Sequence, residues 1–225
     1  MKKHVLHTLF ACALTVLAHS AAAGNADAGA EKVAVCAACH STDGNSPAAA
    51  FPKIAGLGEA YLLKQLQDIQ AWDQAAAADK ASVGRPVLEM TGMLAGFNDQ
   101  DLADIAAFYD SQSLQISGSQ EQQVRINSGA MVDSLALGEQ LYRAGNHATG
   151  VPACTGCHSP SGKGNAPAGY PRLGGQYADY IVKQLKAFRA GERMNDGETM
   201  AMRLVAKNLS DAEITAVANY IAGLN

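Results

Sequence analysis

Two copies of one five-residue pattern constrain this chain more than any other feature. Residues 36–40 read C-A-A-C-H, and residues 154–158 read C-T-G-C-H. Two thiols three positions apart lie on one face of a helical turn, where they can add to the two vinyl groups of one porphyrin, and the next histidine can bind the iron. The pattern therefore predicts two covalently attached c-type haem groups. The residues that would hold them are Cys36, Cys39, His40, Cys154, Cys157 and His158.

Two other uses of paired cysteines compete with haem attachment. C-x-x-C pairs also build structural zinc sites, and a single pair can act in thiol redox chemistry. A zinc site of four cysteines needs neither histidine, and a thioredoxin-like pair belongs to a β-α-β pattern, which the sequence does not show. The repeated histidine after the second cysteine favours haem.

The N-terminus has the three parts of a secretory signal peptide, residues 1–23. A basic start is followed by an apolar run over 5–18 and then by three alanines. The apolar run is short for a membrane span. We expect cleavage after Ala23, which removes Cys12 and leaves a mature chain, 24–225, with all four cysteines inside the two motifs. Export together with covalent haem points to a bacterial periplasm.

Charge and histidine content limit the function further. The mature chain has 15 Lys and Arg against 21 Asp and Glu, since only Lys2 and Lys3 are lost with the signal. An acidic balance gives no support to a nucleic-acid partner. The remaining histidines are His40, His147 and His158. Two haems with two histidine ligands each would need four histidines, so at least one iron takes a different sixth ligand or keeps an open site. We interpret His147 as exposed.

The mature chain is an internal duplication. Residues 60–66 (A-Y-L-L-K-Q-L) match residues 179–185 (D-Y-I-V-K-Q-L), and 51–56 (F-P-K-I-A-G) match 170–175 (Y-P-R-L-G-G). A repeat of about 90 residues predicts two homologous domains rather than a solenoid. No alternating strand pattern is present, so we predict an all-α fold. The predicted division is a signal peptide 1–23, a first domain 24–112, a polar linker 113–128 and a second domain 129–225.

Apolar periodicity and capping residues predict three helices in each domain. Asn98 and the sequence S-D-A-E from Ser210 are helix-capping signals. The alanine-rich stretch 75–81 either extends a helix or forms a surface loop. The predicted helices lie near residues 27–35 and 59–72 and from Asn98 in the first domain, and near 134–143 and 177–190 and from Ser210 in the second.

The repeat also selects candidates for the sixth iron ligand. When the terminal helices are aligned, Met90 falls on Met202, and Met200 is the closest competitor. Thioether sulfur favours ferrous iron, and Met/His ligation raises the reduction potential. We interpret the remaining methionines as fillers of core gaps: Met93, Met131 and Met194.

Several polar positions recur near the motifs. A carbonyl at Pro52 or Pro171 could fix the ligand histidine through its second ring nitrogen, although a plain loop proline is an equal alternative. Matched tyrosines and glutamines either contact the porphyrin or serve helix packing: Tyr61, Gln65, Tyr180 and Gln184. Three arginines could pair with haem propionates, with a solvated surface position as the default: Arg85, Arg172 and Arg203.

Together these features resemble cytochrome c4, the di-haem class of bacterial c-type cytochromes. The resemblance covers essentially the whole mature chain, including 51–56, 61–69, 88–93, 152–158 and 195–203. It implies two class I cytochrome c folds related by a pseudo-twofold axis, with haems near the domain interface. It also implies the axial ligand pairs His40 with Met90, and His158 with Met202.

The resemblance further implies a periplasmic electron carrier of a respiratory chain. The expected partners are a donor of the quinol–cytochrome c reductase type and an acceptor of the terminal-oxidase type, and the expected state is a monomer, with peripheral membrane association left open. The alternative is a small di-haem oxidoreductase, a peroxidase or a sulfur-compound-oxidising enzyme, with one labile iron ligand. The matched methionines favour the carrier, so we predict no catalytic residue.

Overall fold

The computed structural model describes residues 23–225, so the predicted signal peptide, apart from its last alanine, lies outside the described residues. In this range the α-helices are α1 (Ala26–Ala30), α2 (Ala34–His40), α3 (Glu59–Gln74), α4 (Asp99–Asp110), α5 (Ser134–Ala144), α6 (Thr155–His158), α7 (Ala178–Ala190), α8 (Ala201–Lys207) and α9 (Asp211–Gly223). Two 3-10 turns and two strands complete the secondary structure: Leu88–Met90, Ala166–Ala168, β1 (Gln123–Arg125) and β2 (Met131–Asp133).

The all-α prediction is confirmed, because helices build both cores and the strands form only a small antiparallel hairpin. Val124 of β1 lies opposite Val132 of β2. Strands of three residues are too short to produce an alternating pattern, which explains why the sequence does not reveal them.

Most helix bounds agree with the sequence pattern. The terminal helices α4 and α9 begin at complete capping boxes: Asn98 accepts from the Asp101 N–H at 3.0 Å, and Ser210 accepts from the Glu213 N–H at 3.3 Å. Such caps typically contribute about 1 kcal/mol. Helix α3 ends at Gln74, so the alanine-rich stretch after it is a loop.

The prediction of the first helix as one continuous segment is wrong. Helices α1 and α2 are separated by a turn in which Lys32 N–H donates to the Gly29 carbonyl. The break allows the Lys32 ammonium to reach Asp104 of α4 at 2.5 Å while Val33 is buried in the first core. Tertiary contacts of this kind override local helical periodicity.

Each domain has its own apolar core between its terminal helix and its middle helix. Burial of one large aliphatic side chain contributes roughly 1.5–3 kcal/mol. The first core includes Leu57, Leu62, Ile69, Leu94, Leu102 and Ile105. The second core includes Leu141, Ile181, Leu185, Ile214, Val217 and Ile221.

In both domains the first and last helices cross at a glycine. A Cβ atom on Gly29 of α1 would lie 2.1 Å from the Asp104 carbonyl oxygen, and one on Gly138 of α5 would lie 2.2 Å from the Ala216 carbonyl oxygen. No rotamer change relieves a contact with backbone. The close approach of the two helices therefore depends on the missing side chain.

The two domains are related by an approximate twofold axis, and matching hydrogen bonds join them on both sides of it. Lys53 N–H donates to the side chain of Gln176 at 3.0 Å, and Arg172 N–H donates to the Leu57 carbonyl at 3.2 Å. In the aligned repeat, Lys53 corresponds to Arg172 and Leu57 to Gln176. One interdomain contact is thus made twice, once from each side.

The segment between the domains is fastened to both of them. Gln115 N–H donates to Asn45 of the first domain, and Gln120 N–H donates to Asn219 of the second, each at 2.7 Å. Strand β1 begins inside the predicted linker 113–128. The exact domain bounds stay a prediction. No helix in the described range has the length and apolar character needed to cross a membrane.

The helix crossing can be tested by adding one methyl group. We expect Gly138→Ala to lower the free energy of unfolding by about 1–3 kcal/mol, because the added Cβ forces α5 away from α9. This loss outweighs the better helix propensity of alanine, which is about 1 kcal/mol. Denaturant unfolding of the haem-loaded protein measures the change.

Gly96→Ala is the matched control, since no heavy atom lies within 4 Å of its added Cβ and its φ is not positive. Its effect should stay within about 0.5 kcal/mol. Equal effects of the two substitutions would contradict the crossing argument.

Candidate haem-binding sites

One cysteine pair lies in each domain: Cys36 and Cys39 are on the short helix α2, and Cys157 is on α6, with Cys154 as the N-cap of that helix. Cys36, Cys39 and Cys154 are half-buried, Cys157 is exposed, and none of the four forms a disulfide. Burial raises the pKa of the Cys154 thiol to about 11. Residues 23–225 contain no cluster of three or more His, Cys, Asp or Glu side chains arranged to hold a metal ion. The four cysteines therefore form two separate pairs rather than one tetrahedral site.

Each motif histidine is buried and held by a proline carbonyl. His40 Nδ1 lies 2.8 Å from the Pro52 oxygen, and His158 Nδ1 lies 3.0 Å from the Pro171 oxygen. A carbonyl only accepts, so Nδ1 carries the proton and Nε2 keeps a free lone pair. Of the two equal alternatives for these prolines, the structure shows the hydrogen bond to the ring nitrogen, and this bond leaves Nε2 available for a metal.

The environment also keeps both imidazoles neutral. Burial lowers the pKa of His40 and of His158, while the hydrogen bond to the proline carbonyl acts in the opposite direction and is the weaker effect. Neutral imidazole is the form that binds a metal. The two sites therefore present their ligand in the required protonation state near neutral pH.

The chain leaves each motif through a strained residue. Ser41 and Ser159 follow the ligand histidines with φ of 66° and 65°, a left-handed conformation that costs a non-glycine residue roughly 1–3 kcal/mol. Buried tyrosines fix the carbonyl groups of these serines: Tyr142 donates to Ser159 at 2.7 Å, and Tyr109 reaches Ser41 at 3.5 Å. Burial raises the pKa of both phenols, so they remain donors.

Sequence reasoning missed these two tyrosines. Tyr109 comes from α4, the last helix of its domain, whereas Tyr142 comes from α5, the first helix of the other domain. Their positions do not match in the repeat, so alignment of the halves gives no signal. Only the folded geometry shows that both serve the same turn.

A cavity of about 1050 Å³ adjoins the first motif. Cys36, Cys39 and His40 line it together with Met90 and apolar side chains of α3 and α4. Ligand clefts in proteins typically measure roughly 300–1,000 Å³. The cavity thus combines two free thiols, an available imidazole nitrogen, a thioether and apolar walls, which fits a covalently held porphyrin.

The candidate methionine ligands lie beside the two cores. Met90 ends the 3-10 turn Leu88–Met90 and packs against the cluster of Ile69, Leu94 and Leu102. Met202 lies in the first turn of α8 and packs against the second core, as Cys154 does. The competitor Met200 has a φ of 51° and a largely exposed side chain.

The interpretation of the other methionines as core residues is wrong. Met93, Met131 and Met194 are 39%, 51% and 38% exposed. Met131 begins strand β2, Met194 follows α7 in a loop, and Met93 lines the cavity. Their apolar character alone did not distinguish a core position from a surface position.

The matched tyrosines and glutamines meet between the domains. Tyr61 and Gln65 of α3 face Tyr180 and Gln184 of α7, and all four line the cavity. They share hydrogen bonds with Arg85 and with Arg193, a residue that sequence reasoning missed. In the structure these side chains form a polar cluster across the domain interface and also line the cavity, so contact with a porphyrin stays a prediction.

The remaining polar predictions have mixed outcomes. Arg85 is 8% exposed, so its default surface position is wrong. Arg203 forms an ion pair with Asp196 at 2.7 Å, and half-buried Arg172 donates to the Gly174 carbonyl. His147 is exposed, as predicted.

Comparison with known proteins agrees with this architecture. The family model described as cytochrome c matches residues 26–113 and 135–225. Cytochrome c4 of Azotobacter vinelandii is 52% identical over the whole of both chains, and the "Thiosulfate dehydrogenase electron acceptor" of Thiomonas intermedia (strain K12) is 35% identical over 85% of this chain and 79% of that protein. The crystal structure of reduced recombinant cytochrome c4 from Pseudomonas stutzeri, 53% identical, matches with a TM-score of 0.81 over 90% of this chain and 100% of that one.

Sequence identity, the paired family matches and the folded architecture lead to the same conclusion. The chain belongs to the cytochrome c4 family, the di-haem c-type cytochromes that transfer electrons through two tandem cytochrome c domains.

Proposed function

We propose that each domain attaches one haem through thioethers, at Cys36 and Cys39 in the first and at Cys154 and Cys157 in the second. Three observations support this assignment. The thiols are free, each pair lies within one helical turn, and the following histidine is buried beside them. We retain the predicted division into domains at 24–112 and 129–225, joined by 113–128.

The axial iron ligands in this proposal are His40 with Met90, and His158 with Met202. The hydrogen bond from Nδ1 to a proline carbonyl, present in both domains, is the observation that carries the assignment. It directs Nε2 of each histidine to the metal. Met90 lines the same cavity as His40, and Met202 is its counterpart in the internal repeat.

This ligand set favours electron transfer over catalysis. A haem held by histidine and methionine supplies a one-electron ferric/ferrous couple at raised potential. Apolar side chains of α3 and α4 line the first site, and the proline carbonyl holds the His40 ring. A peroxidase or a sulfur-compound-oxidising enzyme would need an open iron and polar groups above it.

The physiological setting that we propose is a respiratory chain in a bacterial periplasm. The predicted signal peptide supports export, and the resemblance to cytochrome c4 supports a donor of the quinol–cytochrome c reductase type and an acceptor of the terminal-oxidase type. The protein would act as a monomer, with its two domains joined by reciprocal hydrogen bonds and a shared segment.

A second candidate donor is a thiosulfate-oxidising dehydrogenase. The relative from Thiomonas intermedia carries the name "Thiosulfate dehydrogenase electron acceptor", and the match covers most of both chains. In this case the chain remains an electron carrier, and the oxidation of the sulfur compound takes place on another protein.

Covalent attachment can be counted by mass. We expect the Cys36→Ala/Cys39→Ala variant to carry one haem instead of two after denaturation, because the second pair is independent of the first. Mass spectrometry of the acid-unfolded chain gives the number directly. Met90→Ala is the control and should keep both covalent haems; two haems in the cysteine variant would contradict the assignment.

Axial ligation can be tested one methionine at a time. Met90→Ala and Met202→Ala should each remove half of the sulfur-to-ferric charge-transfer absorption of the oxidised protein, and each should lower the potential of one haem. Spectroelectrochemistry measures both quantities. Met93→Ala and Met200→Ala are the controls, and loss of absorption in Met200→Ala would assign the second ligand to that residue instead.

The two donors can be separated by reduction kinetics. We expect the oxidised protein to be reduced by quinol in the presence of a purified quinol–cytochrome c reductase, and the reduced protein to be reoxidised by a terminal oxidase. A parallel assay replaces the reductase and quinol with thiosulfate dehydrogenase and thiosulfate. Faster reduction in that second assay would favour the sulfur pathway, and turnover of thiosulfate without the dehydrogenase would contradict the carrier function.

A further inference from the structure

The segment that carries Met202 is held by an ion pair within the second domain. Arg203 Nε donates to Asp196 at 2.7 Å, and the side chain of Asp196 is only 4% exposed. Arg203 directly follows Met202, and both residues lie in the first turn of α8. Because water screens a partly buried pair much less than an exposed one, this ion pair is a strong constraint on the turn.

The same carboxylate also caps α8. Its second oxygen accepts from the backbone N–H of Arg203 at 2.9 Å. The residue before the helix is Met200, whose side chain makes no capping hydrogen bond. The first N–H groups of a helix need acceptors from outside it, and a negative charge at this end is favoured by the helix dipole. Asp196 therefore fixes both where α8 begins and how its first turn is rotated.

Further hydrogen bonds join the loop before α8 to the same arginine. Arg203 Nη2 donates to the Gly197 carbonyl at 3.2 Å and to the Met194 carbonyl at 3.4 Å. The N–H of Met200 donates to the Gly197 carbonyl at 3.2 Å. The guanidinium thus contacts the loop at Met194, Asp196 and Gly197, so the loop and the first turn of α8 form one unit.

The first domain has no ion pair at the corresponding positions. In the repeat alignment that matches the two methionines, Gly84 takes the place of Asp196, and Thr91 takes the place of Arg203. The Thr91 hydroxyl donates to the Leu88 carbonyl of its own turn at 2.9 Å. An effect of the Asp196–Arg203 pair on methionine ligation should therefore be confined to the second haem.

The methionine segment of the first domain is fastened to α3 instead. Gln70 Nε2 donates to the carbonyls of Leu94 and Phe97, each at 2.8 Å, and Asp73 accepts from the N–H of Gly92. The two domains thus hold matching methionines by different contacts. Alignment of the two halves gives no sign of this difference.

We propose that the Asp196–Arg203 pair positions Met202 for the second iron and slows the opening of its thioether bond. The inference rests on the proposed ligation by Met202. The pair fixes the first turn of α8, and Met202, in the same turn, packs against the second core. Because this turn cannot move without breaking these contacts, dissociation of the sulfur requires the contacts to open as well. Asp196 and Arg203 act through Met202 and are positioning residues.

Replacement of the methionine by imidazole in the oxidised protein measures this opening. The sulfur–iron bond breaks and a nitrogen–iron bond forms at ferric iron without electron transfer, so the sulfur-to-ferric absorption disappears. The haem-loaded Met90→Ala protein is the parent, since its remaining absorption comes from the second haem alone. In this parent we expect Asp196→Ala to accelerate the exchange about tenfold, at the lower end of the effect of groups that orient a metal ligand.

Substitutions of Arg203 test the charge of the pair separately. Arg203→Gln removes the ion pair but keeps the backbone bond to Asp196, so we expect an acceleration of about threefold, as for a partly exposed pair. Arg203→Lys keeps the positive charge and should exchange more slowly than Arg203→Gln. The side chain of Arg203 is 24% exposed, so these variants retain the fold even if Asp196→Ala does not. Unchanged exchange in Arg203→Gln, or equal acceleration in both variants, would overturn the proposal.

Glu139→Ala is the matched control for loss of a carboxylate in the same domain. Glu139 accepts from Arg143 at 2.9 Å on α5, away from α8, so its removal should leave the exchange rate unchanged. The Met202→Ala parent reports the first haem, where Asp196→Ala should have no effect. Acceleration in Glu139→Ala, or at the first haem, would indicate general loosening of the protein and would overturn the proposal.

Haem content and sulfur absorption of the Met90→Ala parent are recorded first. Loss of all sulfur absorption in this parent would indicate failure of the proposed ligation by Met202, and with it of this inference. Half of the native absorption, with an exchange rate that Asp196→Ala does not change, would indicate failure of this inference alone.

Discussion

The hydrogen bond between a buried histidine and a proline carbonyl is the constraint on which both sites depend. It sets the tautomer of His40 and of His158 and fixes the ring plane, since the proline loop approaches each motif helix from one side. The chain can make this approach only if it turns sharply after the histidine, and the left-handed serines provide that turn. The strained backbone at Ser41 and Ser159 is thus offset by the hydrogen bonds that the tyrosines make to these serines and the histidines make to the prolines.

Much of this arrangement could be predicted from the sequence, because the relevant signals are local. The C-x-x-C-H motifs and the capping boxes at Asn98 and Ser210 act within a few residues. The prolines lie 12 and 13 positions after their histidines, and their recurrence in both halves marks them. The serine-holding tyrosines and the burial of Arg85 were not predictable in the same way. They depend on which helices meet in space, and neither pattern nor alignment of the halves reports that.

Duplication explains why the domain interface is polar. A contact made by one copy is made again by the other. The tyrosine and glutamine on α3 (Tyr61 and Gln65) therefore face their counterparts on α7 (Tyr180 and Gln184) across the axis. An apolar interface would bind the domains without electrostatic consequence. In the polar interface observed here, buried arginines share glutamine oxygens, which places fixed charge between the domains, where a low dielectric preserves its effect.

The two domains differ in net charge. The predicted first domain, 24–112, has 12 acidic and 5 basic residues, a net charge of −7, whereas the second, 129–225, has 8 acidic and 9 basic residues, a net charge of +1. Negative charge stabilises ferric iron relative to ferrous iron, although salt screens the exposed part of this field. In the proposed di-haem protein, this difference in net charge favours the electron on the second domain.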